Sequence, residues 1–314
     1  MTPLEIEMLF LVRLVLAASL PILMLLPEAA FANRRACQNL EQSYAQIERG
    51  ASTVEVNNTL FSATDKGCEE LAALALKDGA SLEARDRFGA KPLSHAAASG
   101  EVALVKLFLD SGAPIDARNL DGSTALYKSA EAGRLETVKL LVERGAEVDL
   151  PGRSGITPLV AAAYMGSEPI AAYLLEKGAD PNWIDGTKKS AIVYAAGRGF
   201  LPVTRLLLDS GVDVNARYGN DLTALMWTAG HSSEAGVLDV VEVMKLLLDR
   251  GANVDDRDNR GRTALMIAAE LDHTAAVELL LARGADKSLR DDQGKSAADL
   301  TSLTALRETL SAAP

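Results

Sequence analysis

The chain has 314 residues, of which 48% are hydrophobic, 24% charged and only 4% aromatic, and its net charge is −11. The composition is that of a globular protein. The acidic balance, without any basic stripe, argues against nucleic-acid binding through phosphate neutralisation, and it favours solubility and cationic partners.

The first 32 residues have the pattern of a bacterial secretory leader. A run of thirteen uncharged, mostly apolar residues extends from Leu14 to Leu26, and Ala30-Phe31-Ala32 then offers the small-x-small pattern that signal peptidase cleaves. Such a run is shorter than the ~20 residues that span a bilayer. We therefore predict a signal peptide over residues 1–32, cleavage after Ala32 and a periplasmic location. An uncleaved inner-membrane anchor is the alternative.

Two cysteines, Cys37 and Cys68, follow the leader. Because an oxidising compartment favours their pairing, we predict a disulfide that joins an N-terminal capping segment, residues 33–55, to the body of the protein. Apolar residues at helical spacing between Arg35 and Arg49 predict the capping helix itself. Two separate buried thiols are the alternative. No metal site is expected, since the cysteines are far apart and lack a C-x2-C pair.

A regular period occupies residues 56–293. Seven units begin at Val56, Gly89, Gly122, Gly155, Lys188, Asp221 and Gly261. The starts are 33 residues apart, except for one interval of 40. Each unit reads as two short helices, and the second ends at a glycine such as Gly145, which we predict to be left-handed. Thr157-Pro158 fits a helix start, because threonine caps free amides and proline tolerates the first helical position. Residues 294–314 read as a closing half-unit.

The recurring series Gly-x-Thr-Pro-Leu, Ala-Ala, Val-x-x-Leu-Leu and Gly-Ala-Asp closely resembles the ankyrin repeat, as in Gly155-Ile-Thr-Pro-Leu159. The resemblance implies an all-α solenoid of paired antiparallel helices, with β-hairpin or loop fingers between units. It also implies a concave face that binds another protein. The histidine that usually follows the Pro-Leu pair is replaced, for example by Ser94 and Val160, which weakens one recurrent hydrogen bond without changing the fold.

The sixth unit carries seven extra residues, approximately His231 to Val237, between its two helices. Insertions in solenoids emerge as loops, and a longer loop costs little entropy. We therefore expect a tolerated loop extension. A loop that contacts a partner is the alternative.

No grouping of residues predicts catalysis. The three histidines lie in different units, and none stands in an H-E-x-x-H or G-x-S-x-G context. Carboxylate runs such as Asp255-Asp256 fall in turns that we expect to be solvated, whereas perturbed carboxylates need burial or tight coupling. We predict a non-enzymatic protein without a cofactor. An enzyme or accessory subunit that uses the insertion, and a membrane-tethered scaffold, are the alternatives.

Projecting the period onto the expected concave face gives the candidate partner-binding residues. They combine finger tips, positions that follow the Ala-Ala pair and the start of the insertion. They are Phe88, Leu120, Tyr164, Met165, Arg198, His231 and Leu271. Exposed aromatic, methionine and arginine side chains are the usual energetic anchors of protein interfaces. Trp183 and Trp227 are weaker candidates, because each can pack inside its own unit. We predict a protein partner, no nucleic acid, and membrane contact only if the leader is retained.

Overall fold

The computed structural model describes residues 28–47, 50–231 and 237–312, with side chains described from residue 33 in the first range and from residue 239 in the last. The apolar run of the predicted leader lies outside these residues. The described residues form seventeen α-helices. In chain order, α1 to α17 are Glu28–Ile47, Thr53–Lys66, Glu69–Lys77, Pro92–Ser99, Val102–Asp110, Ala125–Glu131, Leu135–Glu143, Pro158–Tyr164, Glu168–Glu176, Ala191–Gly197, Leu201–Asp209, Ala224–Gly230, Val237–Asp249, Ala264–Glu270, Thr274–Ala282, Ala297–Leu300 and Thr304–Ser311.

The helices form a solenoid of seven units. In each unit an inner helix (α2, α4, α6, α8, α10, α12 or α14) packs against the outer helix that follows it, and each inner helix also packs on the inner helices of the adjacent units. The predicted all-α architecture is confirmed. None of the described residues lies in a β-strand, and the fingers are tight turns with one isolated antiparallel bridge between Tyr218 and Leu222. None of the described helices is both long and apolar enough to cross a bilayer.

Local sequence explains where these helices begin and end. The Thr157 hydroxyl accepts a hydrogen bond from the Val160 N–H, and Pro158 is the first helical residue of α8. Thr124, Thr223 and Thr263 cap their helices in the same way. Gly145 follows α7 with φ of +92°, which confirms the predicted left-handed end.

The core repeats with the same period. Its inner-helix leucine or isoleucine is at most 2% exposed in every unit, at Leu60, Leu93, Leu126, Leu159, Ile192, Leu225 and Leu265. The Ala-Ala pair beside it, such as Ala162-Ala163, is fully buried and lets neighbouring inner helices approach closely. Burying one such leucine stabilises the fold by about 1.5–3 kcal/mol, so the array is held together by many similar contributions.

The N-terminal end is closed by α1, which packs on α2 and α3. Cys37 on α1 and Cys68 at the start of α3 form a disulfide, with their Cα atoms 5.4 Å apart. Tyr44 is buried, and its hydroxyl donates to Asp78 Oδ2 at 2.8 Å. The structure thus contains the predicted covalent link between the capping helix and the first unit.

The sixth unit corrects the expectation of a simple loop extension. Its outer helix α13 has 13 residues, whereas the outer helices of the other units have nine. Four of the seven extra residues therefore lengthen a helix (13 − 9 = 4). The insertion was expected at residues 231–237, and residues 232–236 of it lie outside the described residues.

We call the turn that leads into each inner helix a finger. Arginine side chains donate hydrogen bonds that link most fingers to the next one. Arg118 donates from Nη1 to the carbonyl of Gly122 in its own finger at 2.8 Å, and to that of Pro151 in the next finger at 2.6 Å. The arginines that bridge two fingers in this way are Arg85, Arg118, Arg217 and Arg257. The equivalent residues are Pro151 in the finger of unit four and Ile184 in the finger of unit five.

Among the described residues, the junction between units five and six has fewer hydrogen bonds between its fingers than the junctions on either side of it. A second recurrent bond, in which a backbone N–H of the next unit donates to a side-chain oxygen such as that of Asp149, is absent among these residues at the equivalent Asn182. The two fingers are joined by a backbone hydrogen bond of 2.8 Å from Gly219 N–H to the Lys188 carbonyl.

Candidate functional site

An open pocket of about 290 Å³ lies on the inner-helix side of units four to six. Its side chains come from three successive units and from the finger of unit five. They are Tyr164, Lys189, Val193, Tyr194, Arg198, Trp227 and His231, with Gly197 among them. We call this the central pocket.

The pocket exists because large and small residues exchange positions on the inner helices between units four and five. Unit four has Ala161 and Tyr164 on its inner helix, and the equivalent residues of unit five are Tyr194 and Gly197. Unit six repeats the order of unit five, with an aromatic residue followed by a glycine. Gly197 is buried, and a Cβ added to it would lie 3.6 Å from the His231 ring. A glycine inside a helix costs about 1 kcal/mol relative to alanine, and here it leaves room between the rings of adjacent units.

Cations and aromatic rings alternate around the central pocket. Lys189 Nζ lies 4.6 Å from the ring centre of Trp227 and 5.4 Å from that of Tyr194. The rings of Tyr194 and Tyr164 meet edge to face at 5.7 Å, and the Arg198 guanidinium lies 4.4 Å above Tyr164. Each cation–ring contact stabilises its geometry by about 0.5–2 kcal/mol, so the pocket is preformed.

A buried carboxylate holds Tyr194 in place. Asp185 is 4% exposed, and its Oδ2 accepts from the Tyr194 hydroxyl at 2.6 Å. Its Oδ1 accepts from the N–H groups of Thr187 and Lys189. Burial acts to raise the pKa of Asp185, but these hydrogen bonds outweigh it and the pKa lies below its usual value. Burial, followed by the bond to Asp185, raises the pKa of Tyr194 to about 12.

A second, smaller pocket adjoins the central one on the side of unit three. It encloses about 200 Å³ and is lined by Ile156, Val160 and Ala161 between the rings of Tyr164 and Tyr194 and the side chains of Tyr127 and Glu131. We call this the apolar pocket. It shares Tyr164 and Tyr194 with the central pocket, so the two form one continuous depression.

A third pocket adjoins the central one on the side of unit seven. It encloses about 340 Å³ and shares Trp227 and His231 with the central pocket. Leu271 and Glu270 also line it, and Glu270 is paired with Arg262 at 2.8 Å. The three pockets form a groove that crosses the inner helices from unit three to unit seven.

The structure places the predicted partner-binding residues in two groups. Tyr164, Arg198 and His231 line the central pocket, and Leu271 lines the next one. Met165 directly follows Tyr164 and is 49% exposed, but it lines none of these three pockets.

The other two predicted residues, Phe88 and Leu120, lie on the tips of adjacent fingers. They are 72% and 77% exposed. A backbone hydrogen bond of 2.9 Å from Leu120 N–H to the Gly89 carbonyl joins their fingers. They lie in the fingers that lead into units two and three and form a separate apolar patch, because neither lines any of the three pockets of the groove.

Three residues of the central pocket were overlooked or ranked low. Lys189 and Tyr194 are not among the predicted residues, and Trp227 is only a weaker candidate, because it can pack inside its own unit. The signal that points to them is the aromatic residue six positions after the start of units five and six, followed three residues later by glycine. Trp183 does pack locally, since its indole Nε1 donates to the Gly155 carbonyl at 2.8 Å.

The aromatic rings and cations that line the central pocket are suited to binding. An enzyme that used the insertion would need a closed site with a perturbed carboxylate or histidine near residue 231. The described lining of the central pocket contains no carboxylate, and Tyr164 and His231 are exposed. Within the described ranges, no cluster of histidine, cysteine and acidic residues is arranged to hold a metal ion.

Comparison with known proteins gives one family. A sequence model of ankyrin repeats, described as three copies, matches residues 60–151, 93–185, 148–218 and 192–291. The crystal structure of the human ASB11 ankyrin repeat domain is 28% identical in sequence, with a TM-score of 0.63. That similarity covers 72% of this chain and 100% of the ASB11 chain. No curated protein matches the sequence.

Proposed function

Since this chain belongs to the ankyrin-repeat family, whose repeats are modules of protein–protein interaction, we propose that it is an exported, non-enzymatic protein that binds another protein in the groove of units three to seven. The observation that carries the proposal is the central pocket. Aromatic and arginine side chains dominate the energetics of protein interfaces, and Tyr164, Tyr194, Trp227 and Arg198 are gathered there around an open depression. Binding uses a largely preformed surface, which reduces the entropy lost on association.

Export is supported by two independent features. The apolar run and Ala30-Phe31-Ala32 predict a leader that is cleaved after Ala32. The disulfide between Cys37 and Cys68 suits an oxidising compartment such as the periplasm. Fractionation of cells that express the full-length chain, with N-terminal sequencing of the mature protein, tests this part. An intact N-terminus in the membrane fraction would instead indicate a tethered scaffold.

The interaction is tested by cross-linking in intact cells and mass spectrometry of the proteins that co-purify. Two double variants compare the two groups of predicted residues: Tyr164→Ala/Arg198→Ala in the groove and Phe88→Ala/Leu120→Ala on the finger tips. We expect the groove variant to lose the captured partner and the finger-tip variant to retain it, since the groove gathers three aromatic rings around one depression, whereas the finger-tip patch has a single ring, that of Phe88. The opposite pattern would move the binding surface to the finger tips, and unchanged capture by both variants would refute the proposal for either surface.

A further inference from the structure

We infer that the central pocket recognises a carboxylate of the partner, and that the apolar pocket takes an apolar side chain next to it. This inference rests on the proposed function, because it names the chemistry of the segment that occupies the groove. The partner segment is an extended peptide with an acidic residue and an apolar residue on the same side of the chain.

The cation that carries the inference is Lys189. Its ammonium group is placed between the rings of Trp227 and Tyr194, and it forms no ion pair with any described residue. The ring faces attract the cation, but they accept no conventional hydrogen bond from its N–H groups. A carboxylate in the pocket would provide that acceptor, and hydrogen bonds to charged groups are stronger than neutral ones. The Arg198 guanidinium, which lies over the Tyr164 ring, also lines the pocket.

None of the acidic residues described in this region is paired with Lys189. Asp185 is buried and accepts from the Tyr194 hydroxyl and from backbone N–H groups, so its carboxylate is already satisfied. Glu131, in the apolar pocket, is paired with Lys128 at 3.0 Å. Glu270, in the third pocket, is paired with Arg262. The protein carries a net charge of −11, yet the described lining of the central pocket includes Lys189 and no acidic residue.

The apolar pocket determines the second side chain of the recognised segment. Ile156, Val160 and Ala161 form its lining between the tyrosines, and burying an aliphatic side chain against such groups is favourable by ~25 cal/mol per Å². Because Tyr164 and Tyr194 separate the two pockets, one extended chain can occupy both. Side chains two residues apart lie on the same side of a strand, about 6.6 Å apart. The recognised motif is therefore an apolar residue, any residue, then an acidic residue, in either chain direction.

The test is a peptide array probed with the purified full-length protein. Each spot carries a glycine–serine frame with one variable residue, a fixed glycine and a second variable residue, so that all pairs are sampled. One set of spots has amidated C-termini and a second set ends in a free carboxylate directly after an apolar residue and glycine. We expect the strongest binding at apolar–Gly–Glu and apolar–Gly–Asp spots, in one or both directions. Replacement of Glu by Gln should weaken binding about tenfold or more, as for the loss of a hydrogen bond between charged groups.

Variants of Lys189 separate charge from packing. Lys189→Met keeps an unbranched apolar stem against Trp227 and should lose the acidic preference, while Lys189→Arg should retain it. Lys245→Met removes an exposed lysine on α13, which is paired only with Glu242 among the described residues, and serves as the matched control. We expect Lys245→Met to bind as the wild type does.

The outcomes distinguish this inference from the proposed function. Capture of a partner in cells together with equal binding of Glu and Gln spots, a preference for basic spots, or no spot bound would overturn the inference and leave the proposed function standing. An unchanged acidic preference in Lys189→Met would also overturn it. Stronger binding of the free-carboxylate set would support it and identify a chain terminus as the source of the carboxylate. Loss of capture in cells with a clear acidic preference on the array would overturn the proposed function instead.

Discussion

Removal of the disulfide should loosen one end of the solenoid and leave the rest unchanged. In the variant Cys37→Ala/Cys68→Ala, the cross-link between α1 and α3 is lost. The bonded cysteines are 31 residues apart in sequence, and for a loop of this size the closure entropy corresponds to about 3–4 kcal/mol at 25 °C. The expected effect is a fall of this size in the free energy that holds α1 on the first unit.

The effect should stay local because of how the solenoid is built. The helix α1 packs on α2 and α3, and in a repeat array each unit is stabilised by itself and by its nearest neighbours. Tyr44 and its bond to Asp78 remain in the variant. The loss therefore increases the opening of the cap and of the first unit without removing any contact in units three to seven.

Hydrogen exchange measured by mass spectrometry is the assay. The oxidised wild type is compared with the double alanine variant at neutral pH, and reduced wild type serves as a control that should match the variant. We expect faster exchange in peptides from residues 33–77, and unchanged protection from α6 onward. A uniform loss of protection along the array would refute the nearest-neighbour reasoning. Unchanged exchange in residues 33–77 would show that the disulfide contributes nothing to holding the cap.

Substitutions at Gly145, Gly197 and Tyr194 give distinct results. Gly145→Val adds a Cβ that meets no atom within 4 Å, but it forces a branched residue into φ of +92°. The free energy of unfolding in urea should therefore fall by about 1–2 kcal/mol. An unchanged free energy of unfolding would refute the left-handed cap. Gly197→Ala, at an ordinary helical φ, should stabilise the folded protein by up to ~1 kcal/mol. Gly197→Leu should fill the central pocket and abolish capture of the partner. Retained capture by Gly197→Leu would show that the partner does not bind in the central pocket. The ultraviolet difference titration between wild type and Tyr194→Phe should show a phenol that ionises near pH 12. Because the pKa of Tyr194 is raised from 10, its bond to Asp185 stabilises the fold fully below about pH 10, and this stabilisation is lost as the pH rises through about 12. Ionisation of Tyr194 near pH 10 would contradict this prediction.

Much of the fold could be predicted because it is encoded locally. The Thr157 cap, the left-handed Gly145 and the buried Leu159 each depend on residues within one unit, and the period repeats the same signal. The fingers, which were predicted as β-hairpins or loops, close as turns. The helix α13 could not be predicted, because an insertion of seven residues gives no sign of how many will join a helix.

The candidate site was predicted less completely because it depends on contacts between units. Tyr164 and Arg198 could be predicted because they follow the Ala-Ala pair of their units, where the period places residues on the expected concave face. Lys189 was missed, since it lies in a finger and becomes important only through Trp227, which follows it by a whole unit in the sequence. The pocket is defined as much by Gly197, where no side chain is present, as by the rings around it.

The sparse fastening between units five and six has a consequence for how binding and unfolding are coupled. With Ile184 in place of an arginine and a backbone bond from Gly219 to Lys188, the fingers of units five and six are held together mainly by the packing of α10 on α12. A peptide bound against Tyr194 and Trp227 would contact both units and act as a brace between their fingers. Because a ligand that binds the folded state stabilises it by mass action, occupancy should protect the backbone of these two fingers from local opening, so that the partner itself supplies the link that the missing arginine leaves out.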